Sequence, residues 1–307
     1  MTKVFIDGSA GTTGLRIADR LADRKDITLV KLSEEFRKDP AARKDAICGA
    51  DIAFLCLPDD AAREAVALAG DSDVRIIDTS TAHRTNEAWA YGFPELTGCR
   101  EKVRNSKRIA NPGCHASGFV ALMAPLVEKG IVPKELALSC FSLTGYSGGG
   151  KKMIAEYESA ERSQLLKAPR QYALTQQHKH LKEMAKLSHL EKLPVFCPIV
   201  ADFYSGMEVT VPLFTEDVHG TIEDIRAVYA DYYADGLVRY CSEPDVDGML
   251  SAVAFSGRDD MQVGVFGNEE RILLVSRFDN LGKGASGAAI QNMNIVMGCP
   301  EETGLNV

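Results

Sequence analysis

The chain has 307 residues, a formal net charge of -8, eight cysteines, 45% hydrophobic and 25% charged residues, a composition that excludes collagen, coiled coil and wholesale disorder. At this length a single hydrophobic core stops growing, so two domains are expected. The acidic balance excludes a binder of nucleic-acid backbones, which needs clustered Lys and Arg to displace counterions.

The cysteines, Cys48, Cys56, Cys99, Cys114, Cys140, Cys197, Cys241 and Cys299, are scattered with no C-x-x-C pair, so neither structural zinc nor a disulfide scaffold is expected. No apolar run approaches the ~20 residues of a membrane span. Met1 to Gly8 runs straight into a strand, and the expected compartment is the cytoplasm, with thiols reduced.

Taken in chain order, Val4-Phe5-Ile6 reads as a strand, Gly8 to Gly14 as its turn, residues 13–22 as a helix and 27–32 as a second strand. Asp39 before Pro40 marks a helix start, because Asp caps and Pro is pre-shaped for the first helical position; that helix should end by Gly49. Residues 52–57 form an apolar strand stopped by Pro58, 60–68 a helix and 74–78 another strand. This pace predicts a Rossmann-like, doubly wound parallel sheet, α/β in class. From about Pro112 the texture changes: helices are expected over 118–128, 151–162 and 174–187, and strands over 136–143, 195–200, 207–214, 238–241, 261–266 and 271–277. Residues 284–297 read as a last helix. This second part predicts an α+β domain with a mainly antiparallel sheet.

Several segments carry chemistry. Gly8-Ser9-Ala10-Gly11-Thr12-Thr13-Gly14 lies at the first strand-to-helix junction, where a Gly-rich turn lets backbone amides approach a pyrophosphate. After strand two, Ser33 with Arg37 or Lys38 leans toward a 2′-phosphate and NADP, while Glu34 keeps NAD open. In Asn111-Pro112-Gly113-Cys114 the turn sets Cys114 at the first turn of a helix, where free amides and the helix dipole stabilise a thiolate and an oxyanion. His178-Lys179-His180-Leu181-Lys182-Glu183 supplies two imidazoles and a carboxylate placed on the same helical face as His180, a group able to move a proton at neutral pH. Ser147-Gly148-Gly149-Gly150-Lys151 sets cations at a helix start, against the dipole, which leans toward an anion site. Arg84 is a further candidate clamp for carboxylate or phosphate.

As a set these segments resemble the N-acetyl-γ-glutamyl-phosphate reductase family of the semialdehyde dehydrogenase group, in its shorter form. The match runs from the Gly8/Gly11/Gly14 turn through Asp78 to Arg84, Tyr91-Gly92-Phe93-Pro94-Glu95, Pro112-Gly113-Cys114, His178-x-His180-x-x-Glu183 and Asn280-Leu281-Gly282-Lys283-Gly284-Ala285 to Gln291-Asn292. The chain departs from the family pattern in two places: after the nucleophile, where His115 stands for an often aromatic residue and Ser117 for the usual Thr, and at Asp78-Thr79-Ser80-Thr81-Ala82-His83-Arg84, where the family has Asp-Leu-Ser-Ala-Asp-Phe-Arg.

The resemblance implies a semialdehyde dehydrogenase-like fold, with residues 1–113 and 285–307 binding NADP and 114–284 forming the catalytic and oligomerisation domain. It implies reduction of an acyl phosphate by NADPH through a thioester on Cys114. His180 is then the acid/base, Glu183 its orienting group, and His178, Ser147, Lys151 and Arg84 the residues meeting the substrate. Gly8, Ser9, Gly11, Thr12, Thr13, Gly14, Ser33, Arg37, Asn280, Lys283 and Gly284 fall to the cofactor. The expected partner is a second copy, in a dimer or tetramer. Two rivals remain open: another acyl-phosphate reductase, such as aspartate-semialdehyde dehydrogenase, and a dinucleotide-binding sensor that has lost the chemistry.

Overall fold

The computed structural model describes all 307 residues, Met1–Val307, in two compact units: Met1–Pro112 with Ala285–Leu305, and Gly113–Gly284 with Asn306–Val307.

The first unit carries β1 (Thr2–Asp7), α1 (Thr12–Leu21), β2 (Ile27–Val30), α2 (Pro40–Cys48), β3 (Ile52–Leu55), α3 (Asp59–Ala69), β4 (Arg75–Asp78), β5 (Ala90–Tyr91), α4 (Cys99–Asn105) and β6 (Arg108–Ala110), joined by the C-terminal helix Gly287–Met297. Its six strands are all parallel, in the order β2-β1-β3-β4-β6-β5. Alternate residues of β1 serve opposite cores. Val4 and Ile6 pack with Ile17 of α1 and Ile290 and Met293 of the C-terminal helix, while Phe5 packs with Ile47 of α2 and Ala62 and Ala65 of α3. The strand order turns back at β1 and β3, and a doubly wound sheet binds its ligand at the carboxyl ends of such strands. At α2 the Asp39 side chain accepts from Ala42 N–H at 2.8 Å and Pro40 takes the first helical position, as expected. The short α4, β5 and β6 carry too little periodicity to be read from sequence.

The second unit carries α5 (Cys114–Glu128), β7 (Ser139–Gly145), α6 (Gly150–Glu158), β8 (Arg170–Gln171), α7 (Leu181–Leu187), β9 (Val195–Ala201), β10 (Met207–Phe214), α8 (Ile222–Tyr232), β11 (Val238–Tyr240), β12 (Met261–Gly267) and β13 (Arg271–Phe278). The seven strands run β11-β12-β13-β10-β7-β9-β8; β11 with β12 and β7 with β9 are parallel and the other pairs antiparallel. Residues His115 to Val127 of α5 are all buried, as an all-round apolar helix requires. Pro125 cannot bond the carbonyl one turn back, and the Tyr233 hydroxyl of the α8 end donates to that Ala121 carbonyl at 2.6 Å. Tyr229 of α8 donates to the neighbouring Leu122 carbonyl at 2.5 Å.

The expected helix over 174–187 is shorter than predicted, and only Leu181–Leu187 is helical. Gln176 explains the difference: its side-chain amide accepts from Phe196 N–H and donates to Phe196 C=O, both at 2.8 Å, imitating a peptide unit beside β9. Ala173 and Gln176 adopt φ of 52° and 57°, left-handed conformations that no α-helix contains. His178 therefore precedes the helix and His180 is its N-cap, so the helical face expected to carry His180 and Glu183 is reduced to the N-cap and the first turn of α7.

Candidate active site

In the first unit, a cavity of about 630 Å³ opens beside the carboxyl end of β1, lined by Gly8, Ser9, Ala10, Lys31, Arg37 and Arg43 among others. Gly8 sits at φ +85°, and a Cβ there would lie 2.3 Å from the Cys56 carbonyl oxygen. At Gly14 a Cβ would lie 2.5 Å from the Gly8 carbonyl oxygen. Only glycine at both positions lets the turn fold this tightly against β3 and α1. Gly11 is the N-cap of α1, and Thr12 and Thr13 are its first residues, so the positive end of the helix lies at this turn. Ser33 is exposed, and its carbonyl accepts from Phe36 and Arg37 N–H. Arg37 forms an exposed ion pair with Glu34 at 3.0 Å. Arg43, which sequence reasoning passed over, is fixed in the cavity wall by Asp7, whose Oδ2 accepts from Nε at 3.1 Å and Nη2 at 2.9 Å. A tight glycine turn, a helix N-terminus and wall cations together fit a dinucleotide.

Arg84 is buried, and its Nε and Nη2 donate to the carbonyls of Asn111 and Thr79 at 2.9 and 2.8 Å. Those two bonds brace the ends of β4 and β6, a structural duty that the sequence reading did not assign. Asp78 closes the same segment by accepting from Ser80 N–H, Ser80 O–H and the His83 ring.

In the second unit, Cys114 is the first residue of α5, with Gly113 as its N-cap. The Gly113 N–H donates to Glu183 Oε1 of α7 at 2.8 Å. The Gly284 backbone abuts the nucleophile candidate, since a Cβ on Gly284 would lie 3.0 Å from Cys114 Cβ. Three imidazoles gather near the start of α5: the His115 ring centroid is 5.7 Å from that of His178 and 5.6 Å from that of His180, and His178 and His180 are 4.8 Å apart. His180 is buried. Its N–H donates to His178 Nδ1 at 3.2 Å. Burial, with Lys179 adding to it, lowers His178 to about 4. At neutral pH His178 is an uncharged ring with its Nε2–H as donor, so it offers an anion a hydrogen bond and no charge.

The remaining candidates of this unit separate into two groups. Asn280 is buried, with Oδ1 accepting from Gly206 N–H and Nδ2 donating to Ser147 Oγ, both at 3.0 Å. Ser147 is therefore pinned by Asn280 in the core. Lys283 is buried too, in the tight helical turn Gly282–Ser286. Lys151 is exposed in the first turn of α6.

The thiols also separate. Burial pushes Cys56 up to about 12 and raises Cys99 and Cys140 as well, which keeps all three protonated and unreactive. Cys114 is only part-buried, at a helix N-terminus that favours an anion.

A family model described as the semialdehyde dehydrogenase NAD binding domain matches residues 3–106, and one described as the semialdehyde dehydrogenase dimerisation domain matches residues 114–280. Among curated relatives, N-acetyl-gamma-glutamyl-phosphate reductase 2 of Nostoc sp. is 46% identical, covering 99% of this chain and 99% of that protein. The N-acetyl-gamma-glutamyl-phosphate reductase of Sinorhizobium medicae is 45% identical over 96% of this chain and 98% of its own length. Among solved structures, aspartate semialdehyde dehydrogenase II of Vibrio cholerae, complexed with ASA, superposes with TM-score 0.72 at 18% identity, covering 97% of this chain and 98% of that one. The aspartate semialdehyde dehydrogenase of Candida albicans, solved with NADP, gives TM-score 0.66 at 16% identity, over 97% and 98% of the two chains. These structures share the fold, whereas the near full-length identity to the reductases is specific: the chain belongs to the N-acetyl-γ-glutamyl-phosphate reductase family of semialdehyde dehydrogenases.

Proposed function

We propose that this chain reduces N-acetylglutamyl 5-phosphate with NADPH to N-acetylglutamate 5-semialdehyde and phosphate, a reaction of arginine biosynthesis. The observation that carries the reading is a part-buried thiol at the N-terminus of the buried helix α5, its preceding amide fixed by Glu183, with the rings of His178 and His180 gathered about His115, the next residue along. The relatives' names select the substrate.

Cys114 Sγ attacks the acyl carbon, with His180 assigned to take its proton; the carbon–sulfur bond forms, the carbon–oxygen bond to phosphate breaks, and a thioester remains. Amides at the start of α5 stabilise the oxyanion of the tetrahedral intermediate. NADPH, when bound by the Gly8 to Gly14 turn with Arg37 toward its 2′-phosphate, supplies the hydride that reduces the thioester carbonyl. Breaking the carbon–sulfur bond then releases the aldehyde and returns Cys114 as thiolate. His178 contributes its neutral N–H, and Lys151 a charge, to the substrate's anionic groups. Glu183 acts on the turn before Cys114, and Asn280 holds Ser147 in place within the second unit. Lys283 and Gly284 close the turn beside Cys114.

The active form is proposed to be a homodimer, joined through the outer face of the seven-stranded sheet. Register puts Phe141, Val195, Phe214 and Leu273 on one face, and these apolar side chains are 46%, 56%, 56% and 43% exposed. The deciding assay runs in the reverse, phosphate-dependent direction with two aldehydes. Turnover of N-acetylglutamate 5-semialdehyde with NADP is expected; turnover of aspartate semialdehyde alone would sink the assignment. Cys114→Ser should still bind NADPH and lose at least about a thousandfold in kcat.

A further inference from the structure

Next to Cys114, three groups form a hydrogen-bonded chain that the chemistry above leaves unused. His115 is buried in the first turn of α5, with Nδ1 2.7 Å from Ser142 Oγ of β7 and Nε2 2.7 Å from the Tyr172 hydroxyl. Burial, with His178 adding to it, lowers this imidazole to about 3. The ring is therefore neutral, with one N–H and one lone pair, and its two contacts must run in a single direction. Ser142 is fully buried, and its hydroxyl has His115 Nδ1 as its partner. If Nδ1 carried the proton, the Ser142 hydrogen would be left without an acceptor in the core, an unfavourable state. The satisfied arrangement has Ser142 O–H donating to Nδ1 and Nε2–H donating to the Tyr172 oxygen. Tyr172 then keeps its own O–H for another acceptor. Burial first, and negative charge on Cys114 second, raise the Tyr172 phenol, so it stays protonated; its hydrogen-bond partner His115 is the residue that follows Cys114 in α5.

We propose that Ser142 and His115 orient the Tyr172 hydroxyl as a hydrogen-bond donor to the negative charge that forms at Cys114, first on the thiolate and then on the oxyanion of the tetrahedral intermediate. His115 and Ser142 act through Tyr172 and are positioning residues. The proposal rests on Cys114 being the nucleophile of the function above. The other titratable groups around this chain are His178 and His180 from the segment that carries Tyr172, Glu183 from α7, and Lys283 beside the Gly284 backbone.

The test is the pH dependence of iodoacetamide alkylation at Cys114, read by mass spectrometry in the folded protein without substrate, together with steady-state kinetics. Tyr172→Phe should raise the alkylation midpoint by about one pH unit, a tenfold loss of thiolate at a given pH. It should lower kcat by about ten- to a hundredfold, with KM unchanged. His115→Phe keeps the ring packing without the donor and should reproduce both changes, while His115→Gln restores a donor toward Tyr172 and should recover most of them. A wild-type midpoint in Tyr172→Phe overturns the proposal, and a shift in Tyr172→Phe with none in His115→Phe overturns the positioning role. The alkylation arm needs no acyl phosphate. A protein that shows the shifts but does not reduce the proposed substrate defeats the functional assignment alone, and a working reductase without shifts defeats this inference alone.

Discussion

Glu183 of α7 accepts the main-chain N–H of Gly113 at 2.8 Å, and both residues are buried. This bond joins elements 70 residues apart and fixes the amide that precedes Cys114, so the entry of the chain into α5 is set from outside the helix. A carboxylate accepting a buried amide is a strong, charge-assisted bond.

Glu183→Ala should therefore leave the Gly113 N–H unsatisfied and destabilise the fold by about 1–3 kcal/mol, visible in urea denaturation. Glu183→Gln retains an acceptor and should keep most of the stability. Both should lower kcat, Ala by on the order of a hundredfold, because the nucleophile's turn loosens. An Ala variant with wild-type kcat would show that the bond serves folding only.

Cofactor choice turns on Arg37. Its exposed pair with Glu34 contributes at most about 1 kcal/mol, so a 2′-phosphate can displace the carboxylate. Arg37→Ala should raise KM for NADPH by about tenfold or more, the loss of one charge-assisted bond, with NADH kinetics unchanged. Glu34→Gln should move NADPH binding in the opposite direction. Equal efficiency of the wild-type protein with NADH and NADPH, measured as kcat/KM, would remove Arg37 from this role.

Legibility of the molecule followed how local its causes are. The parallel strands of the first unit are buried on both faces and read as unbroken apolar runs, Ile52 to Leu55 for example, and the cap at Asp39 is a three-residue signal. Helix α8 carries such a signal as well, a capping box between Thr221 and Asp224, set within a β-rich texture that masks it. Residues 174–180 are a different case. Their helical pattern is overruled by one glutamine side chain pairing with β9, a contact that only the tertiary fold brings about. The same applies at the site: Cys114 at a helix start was readable from Pro112-Gly113, whereas the duties of Glu183 toward Gly113, of Arg84 toward Asn111 and of Tyr172 toward His115 cross long stretches of chain.

The depressed imidazoles give a pH dependence of known sign. His115 and His178 titrate near 3 and 4 in the folded protein against 6.5 for an unperturbed ring, so between those limits the unfolded chain binds more protons than the native one. Stability from these groups is present above about pH 6.5 and is lost progressively as pH falls through about 4 for His178 and about 3 for His115. Tm should decline over that window and be nearly flat from pH 7 to 8. His115→Gln should flatten the decline; an identical slope in the variant would assign the acid sensitivity to other groups.

The outer face of the seven-stranded sheet supplies the last prediction. An antiparallel sheet can leave one face to solvent, but its exposed side chains are then polar. Here neighbouring strands present Phe141, Val195, Phe214 and Leu273 together, while the opposite face is closed by α5 and α8. Exposed apolar side chains grouped on one face are what the homodimer interface proposed above requires, and the matching family model is described as a dimerisation domain. A two-fold axis would bring the same patch of both copies together, so each substitution is felt twice. Phe141→Glu combined with Leu273→Glu should therefore shift the protein from twice the 33.3 kDa chain mass to a single chain, measured by light scattering, with the far-ultraviolet circular dichroism preserved because neither side chain belongs to the core. A folded double variant that retains the dimer mass would place the interface on another surface.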